Sequence, residues 1–131
     1  PRSKYVADFI GSPAINFVDG AIAAGDGGPV FEASGVRLPL PTTTSAEVGR
    51  DVSCGLRPTD LEIAPPGEGV SAKVVLCEKT GAEQNVHVAV AGSPMVVTAD
   101  RGVHASSGDE VGLKIAPARV QLLDPETGLR L

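Results

Sequence analysis

Two histidines, two cysteines and a scatter of aspartates are what this 131-residue chain offers for chemistry. His87 stands between Val86 and Val88 in an alternating run, so it faces solvent if the valines face a core, and His104 falls in a polar stretch. Neither lies beside a Ser or Cys in a local nucleophile signature, and a triad built on them would be chance. Cys54 and Cys77 sit in apolar segments far from any CxxC spacing, which suits two buried, reduced thiols better than a disulfide or a metal site. A phosphate-cradling loop needs GxxxxGK followed by Ser or Thr, and the chain holds no Gly-Lys pair. Asp124 ends the apolar run Gln121-Leu122-Leu123, as a magnesium-binding carboxylate would. Without that loop, a strand-end turn accounts for it. Asp26, Asp51, Asp60 and Asp109 also lie in turn-forming stretches, where Asp bonds its own backbone. No catalytic residue, metal ligand or cofactor-binding residue is assigned.

Composition bounds the partners. Eleven basic against sixteen acidic side chains leave a net charge of −5, which disfavours phosphate backbones and anionic lipid. The aromatic residues are Tyr5, Phe9, Phe17 and Phe31, too few for a platform on which bases stack. Nucleic acid is therefore not an expected partner. The longest uncharged stretch, 84–99, is broken by Gly92-Ser93-Pro94, so no direct membrane insertion is expected.

Sixteen glycines and eleven prolines punctuate the chain densely, which calls for short strands and many turns. Residues 1–10 alone read as helical: Val6, Phe9 and Ile10 fall on one face, and Gly11-Ser12-Pro13 stops the element. From residue 14 the pattern is β. Strands are expected over 15–24, 30–33, 36–40, 48–56, 70–78, 85–91, 95–99, 111–116 and 120–123. A two-residue hairpin loop is expected at Ser34-Gly35. Within 70–78 the residues Val70, Ala72, Val74 and Leu76 alternate as one buried face should. The expected fold class is all-β: a small, closed or nearly closed barrel with a short N-terminal helix.

Two turns are unusually specific. FIGSPAINF (9–17) packs a helix stop, a proline and two aromatics into nine residues. GLRPTDL (55–61) places Arg57 at a strand end before a proline turn and an acid. Locally, Asp60 would cap the turn while Arg57 pairs with it or with a carbonyl.

Those segments carry a resemblance. YVADFIGSPAINF (5–17) resembles the junction after the ATPase domain in the subunits that energise maltose, other oligosaccharide and glycerol-3-phosphate ABC importers. CGLRPTDLEI (54–63) resembles that family's Gly-Ile/Leu-Arg-Pro-Glu turn. VVLCEKTGAEQNVHV (74–88) resembles its strand-turn-strand, and GDEVGLKIAPARVQLLDPETGLRL (108–131) its C-terminal ending. The four matches are collinear across nearly the whole chain. Asp8, Ile15, Thr59 and Leu122 depart from the family's usual Gly, Met, Glu and Phe.

The resemblance implies an OB-like barrel of the transport-associated (TOBE/MOP) type, with residues 1–13 as a junction from the ATPase domain and 14–131 as the regulatory domain. It implies a dimerisation and regulatory role in the ATP-binding subunit of an importer for sugars, polyols or glycerol-3-phosphate, on the cytoplasmic face of the membrane. Partners would be the subunit's own ATPase domain, a second copy of the subunit, membrane-spanning permease subunits and a phosphotransferase-system regulator. ATP and magnesium would bind the ATPase domain, leaving this segment non-catalytic and without a cofactor. The interface candidates are Tyr5, Phe9, Ile10, Gly11, Ser12, Pro13, Asn16, Phe17, Arg57, Pro58 and Asp60. The alternative is a module for a small oxyanion, such as molybdate, or another small ligand. Ser106-Ser107-Gly108 is the one cluster whose amides would suit an oxyanion.

Overall fold

The structure is a computed structural model and describes residues 14–131. The expected helix over 1–10 lies outside the described residues. Ten strands follow: β1 (Asn16–Gly25), β2 (Gly28–Ala33), β3 (Val36–Pro39), β4 (Asp51–Leu56), β5 (Glu62–Ala64), β6 (Val70–Thr80), β7 (Glu83–Val90), β8 (Ser93–Asp100), β9 (Glu110–Lys114) and β10 (Gln121–Leu123). Short 3-10 turns stand at Pro58–Asp60 and Pro117–Arg119, each opened by a proline whose missing N–H the first turn does not need.

The strands form two five-stranded antiparallel sheets, ordered β10-β4-β1-β2-β3 and β5-β9-β6-β7-β8. In the second sheet the edge strands β5 and β8 approach one another, so it curls toward closure. This is the expected all-β, OB-like architecture. One core joins the sheets: Ile22, Phe31, Val52 and Leu56 from the first meet Val74, Val86, Val88 and Val97 from the second. The expected hairpin at Ser34-Gly35 is present, with Ala33 opposite Val36. β4 starts three residues later than its expected counterpart, because Gly49 takes a φ of 93° and Val48 is left exposed. β5, only three residues long, carries too little pattern to read in advance.

One strand departs from its expected alternation. The register of β6 against β7 shifts between Val74 and Leu76, so Val75 is the extra residue of a β-bulge. Val70, Ala72 and Val74 face the core as expected, but Leu76 turns outward and is 46% exposed. After the bulge Cys77 takes the inward phase opposite Val86.

Close packing sets two further constraints. A Cβ on Gly20 would lie 2.8 Å from the Phe31 ring and 2.4 Å from the Glu32 carbonyl, so only glycine lets that ring lie across β1. At the tip of the β7–β8 hairpin Ala91 takes a φ of 49°, unusual for a residue with a side chain. Its Cβ fills the space beside Gly35, at the β2–β3 tip of the other sheet. Gln84 stands at a core-facing position of β7 and is fully buried. Its Nε2 donates to the carbonyls of Asp100 (3.0 Å) and Val103 (2.6 Å), and its Oε1 accepts from Lys79 Nζ at 3.3 Å. All three bonds offset the cost of burying an amide, and those to Asp100 and Val103 tether the start of the β8–β9 loop.

Asp124 is the strand-end turn residue that its sequence position suggested. Its Oδ1 accepts from the amides of Thr127 (3.0 Å) and Glu126 (2.9 Å), and Arg50 lies 3.6 Å from Oδ2. The two backbone donors, Thr127 first, hold this carboxyl below the usual range. Its contribution is therefore present above the ordinary carboxylate pKa of about 4 and is lost as pH falls through the lower folded value.

Two measurements check these points. Gly20→Ala is expected to lower stability by about 1–3 kcal/mol in urea unfolding, from overpacking against Phe31. Asp124→Asn is expected to unfold at lower urea than the parent near neutral pH, with the difference closing in acid. A constant difference at all pH values would refute the assignment.

Candidate functional site

Asn16 is the first residue of β1 and stands opposite Leu56, the last residue of β4. Its side chain points inward, 9% exposed, toward β8 of the other sheet. There its Oδ1 accepts from the Val96 amide at 2.8 Å, and its Nδ2 donates to the Val96 carbonyl at 2.9 Å. The second Nδ2 hydrogen goes to the Leu56 carbonyl at 3.1 Å. A carboxamide presents one acceptor and two donors at the spacing of a backbone peptide, so it pairs with Val96 as a neighbouring strand would. All three of its bonds hold backbone, and they fasten the first sheet to the edge of the second.

The expected interface residues of the second turn lie beside this clasp. Leu56 runs directly into the 3-10 turn Pro58–Asp60, which packs against β8. Pro58 is buried, while Arg57 and Asp60 are half-buried. The local pairing expected of those two is not what the structure shows. The turn is closed by the Asp60 amide donating to the Arg57 carbonyl at 2.9 Å, and Arg57, as the preceding residue, makes no side-chain cap. Asp60 ends so short a turn and is misplaced to cap its start. Among the described residues, no ion pair involves either side chain.

Phe17 stands opposite Gly55, and its ring lies 3.6 Å from where a Gly55 side chain would begin, with Ile15 and Gln121 at the same distance. The described end of the first specific segment, Asn16-Phe17, therefore lies beside the second, 55–61, at one corner. Asn16, Phe17, Arg57, Pro58 and Asp60 share it. Tyr5, Phe9, Ile10, Gly11, Ser12 and Pro13 lie outside the described residues. Val96 belongs to the corner too, and sequence reasoning missed it because it contributes only its backbone.

The other candidates are placed apart from this corner. His87 faces outward as expected, its Nε2 2.5 Å from Glu78 Oε1, and His104 is exposed. Cys54 is fully buried, and that burial pushes its thiol up to about 12, which keeps it protonated and unreactive. Cys77 is only half-buried, a correction to the expected pair of buried thiols. It lies next to the bulge, where its Sγ donates to the Ala105 carbonyl at 3.3 Å. At Ser106-Ser107-Gly108 the first and third amides are already committed. Ser106 N–H donates to the Asp109 carboxylate (2.9 Å) and Gly108 N–H to the Val74 carbonyl (2.8 Å). A carboxylate thus occupies the place an oxyanion would need.

Comparison with known proteins matches two family models to the chain. One describes the MalK OB fold domain, over residues 11–61, and the other the TOBE domain, over residues 54–123. The chain is 34% identical to an uncharacterized ABC transporter ATP-binding protein of Sinorhizobium fredii, over all of this chain and 35% of that protein. It is 30% identical to the sn-glycerol-3-phosphate import ATP-binding protein UgpC of Yersinia pestis, over all of this chain and 36% of that protein. The chain thus spans about a third of the length of these relatives. Among solved structures, the cytoplasmic molybdate-binding protein ModG in its molybdate-bound form superposes with a TM-score of 0.65. That match has 14% identity and covers 84% of this chain and 96% of that one, a likeness of fold.

Removing the clasp gives the test of this corner. Asn16→Ala leaves the Val96 peptide and the Leu56 carbonyl unpaired and is expected to cost about 2–3 kcal/mol in chemical denaturation. Asn16→Asp would turn a carboxylate toward two carbonyls, which raises its pKa, so its penalty is expected to grow as pH rises through that raised value. An Asn16→Asp penalty that shrank with rising pH would contradict the geometry.

Proposed function

Because this chain belongs to the TOBE domain family, we propose that it is the C-terminal regulatory domain of the ATP-binding subunit of an ABC importer for sugars, polyols or glycerol-3-phosphate. The domain would hold two copies of the subunit together while their nucleotide sites open and close. It would do no catalysis and take no cofactor itself, since ATP and magnesium belong to the ATPase domain of the parent. Residues 1–13 would be the junction to that domain, and 14–131 the regulatory unit. The corner of Asn16, Phe17, Arg57, Pro58 and Asp60 would receive the junction. The observation that carries this reading is that Asn16-Phe17, the described end of the first specific segment, meets the second at that one corner, fastened by the Asn16 amide. Half-buried Arg57 and Asp60, without ion partners among the described residues, supply polar groups for a facing surface.

The remaining partners follow from the same reading: permease subunits reached through the parent, a phosphotransferase-system regulator, and a position on the cytoplasmic side of the membrane, peripheral to it. The oxyanion alternative has less support, because the amides at Ser106 and Gly108 are already engaged.

The test is the intact ATP-binding subunit prepared with and without residues 14–131. Loss of the domain is expected to spare ATP binding and to weaken dimerisation of the nucleotide-free subunit. Equal dimerisation of both forms would overturn the proposal. For the chain alone, light scattering is expected to show weak self-association, and a tight nanomolar dimer would contradict that part of it.

A further inference from the structure

The long loop between β3 and β4 and the segment 120–131 meet over a cavity of about 400 Å³, within the roughly 300–1,000 Å³ of small-molecule sites. Arg50 and Arg130 line it together with the hydroxyl residues Thr43, Thr44 and Ser45, and no Asp or Glu is among the described residues that line it. The chain as a whole carries a net charge of −5, so two cations without an acid between them stand out. Several other cations are spent within the fold. Arg37 pairs with Glu32, Lys114 with Glu68 at 3.3 Å, and Arg101 donates to the Gly81 carbonyl at 2.8 Å. The cavity arginines are not spent. Among the described residues the Arg130 side chain has no ion pair, and Arg50 only approaches Asp124 Oδ2 at 3.6 Å, beyond hydrogen-bond reach.

Backbone bonds hold both walls. On the loop side the Thr44 amide donates to the Pro41 carbonyl at 3.0 Å, and Gly49 N–H to the Ile22 carbonyl at 2.8 Å. On the other side Arg130 is bridged to Leu123, and Leu131 N–H donates to the Leu122 carbonyl at 3.0 Å. A ligand finds these walls already ordered, which lowers the entropy that binding must offset. Buried Leu40 and half-buried Leu122 add an apolar part to the lining.

We propose that this cavity binds a small phosphate monoester, a sugar or polyol phosphate, through Arg50 and Arg130. A guanidinium presents paired N–H donors matched to two phosphate oxygens, and two guanidiniums suit a dianion better than the single charge of a carboxylate. The hydroxyls of Thr43, Thr44 and Ser45 donate and accept, so they serve phosphoryl oxygens and the hydroxyls of a sugar alike. A bare oxyanion would leave the apolar lining unused, and a neutral sugar would leave the two cations unanswered. The cavity shares no residue with the Ser106-Ser107-Gly108 cluster, and its assignment stands independently of the dimer-holding role.

Isothermal titration calorimetry of the whole chain at low salt tests this, with glycerol phosphate and glucose 6-phosphate as ligands and inorganic phosphate and glucose as comparators. At least one ester is expected to bind one-to-one and several-fold more tightly than inorganic phosphate, while glucose gives no heat of binding. Arg130→Gln and Arg50→Gln are each expected to weaken ester binding about tenfold, since each removes a charge-assisted bond. Arg101→Gln removes a cation outside the cavity and is expected to leave binding unchanged. Circular dichroism confirms the fold of each variant, and Arg130→Gln tests the site without touching the Arg50–Asp124 approach. No binding of either ester, inorganic phosphate binding as tightly as the esters, an Arg130→Gln chain that binds like the parent, or an equal loss in Arg101→Gln would each overturn the proposal.

Discussion

One side-chain amide decides how the two halves of this molecule sit against each other. Asn16 belongs to the first sheet by its backbone and to the second by its side chain, which bonds both polar groups of the Val96 peptide and the Leu56 carbonyl. Apolar contact between sheets is not directional, and a core of valine and leucine tolerates small slides. A buried carboxamide does not, because every broken bond leaves a desolvated group without a partner. The clasp thereby fixes the register between sheets that the hydrophobic core alone would leave loose.

The remaining contacts between the halves follow from that registration. With β8 held against the start of β1, the 3-10 turn after β4 packs on β8. At the far end of the molecule the hairpin tips meet, and the strained backbone of Ala91 is retained because its methyl group fills the space left by Gly35. Gln84 performs a similar task within the second sheet, trading the cost of its burial for a fixed β8–β9 loop. At Asn16 and Gln84, polar side chains in core positions do not weaken the fold. They orient it.

This arrangement also sets what the proposed role has to work with. Two surfaces stand at a fixed angle to each other: the corner at Asn16, Arg57 and Asp60, and the sheet face on which the β6 bulge turns Leu76 outward. Both include β8, and both depend on that strand keeping its place. Family membership says where such a domain belongs, and the geometry says which of its surfaces a rigid scaffold presents.

Much of this was legible in the sequence. Glycine and proline frequency demanded short strands, valine alternation placed β7, the Ser34-Gly35 hairpin was read from two residues, and Asp124 was recognised as a turn former. Asn16, Phe17, Arg57, Pro58 and Asp60 stood out because glycine, proline and charge cluster around them. Each of those signals is local, set by the conformational preferences of a few neighbouring residues. The sequence could not show that Asn16 would reach Val96, eighty positions away, because a partner that offers only its backbone leaves no mark in residue type. Nor could it show the bulge. Val75 and Leu76 are as apolar as the valines around them, and only the pairing of β6 with β7 decided that the alternation slips by one residue and turns Leu76 to the outside.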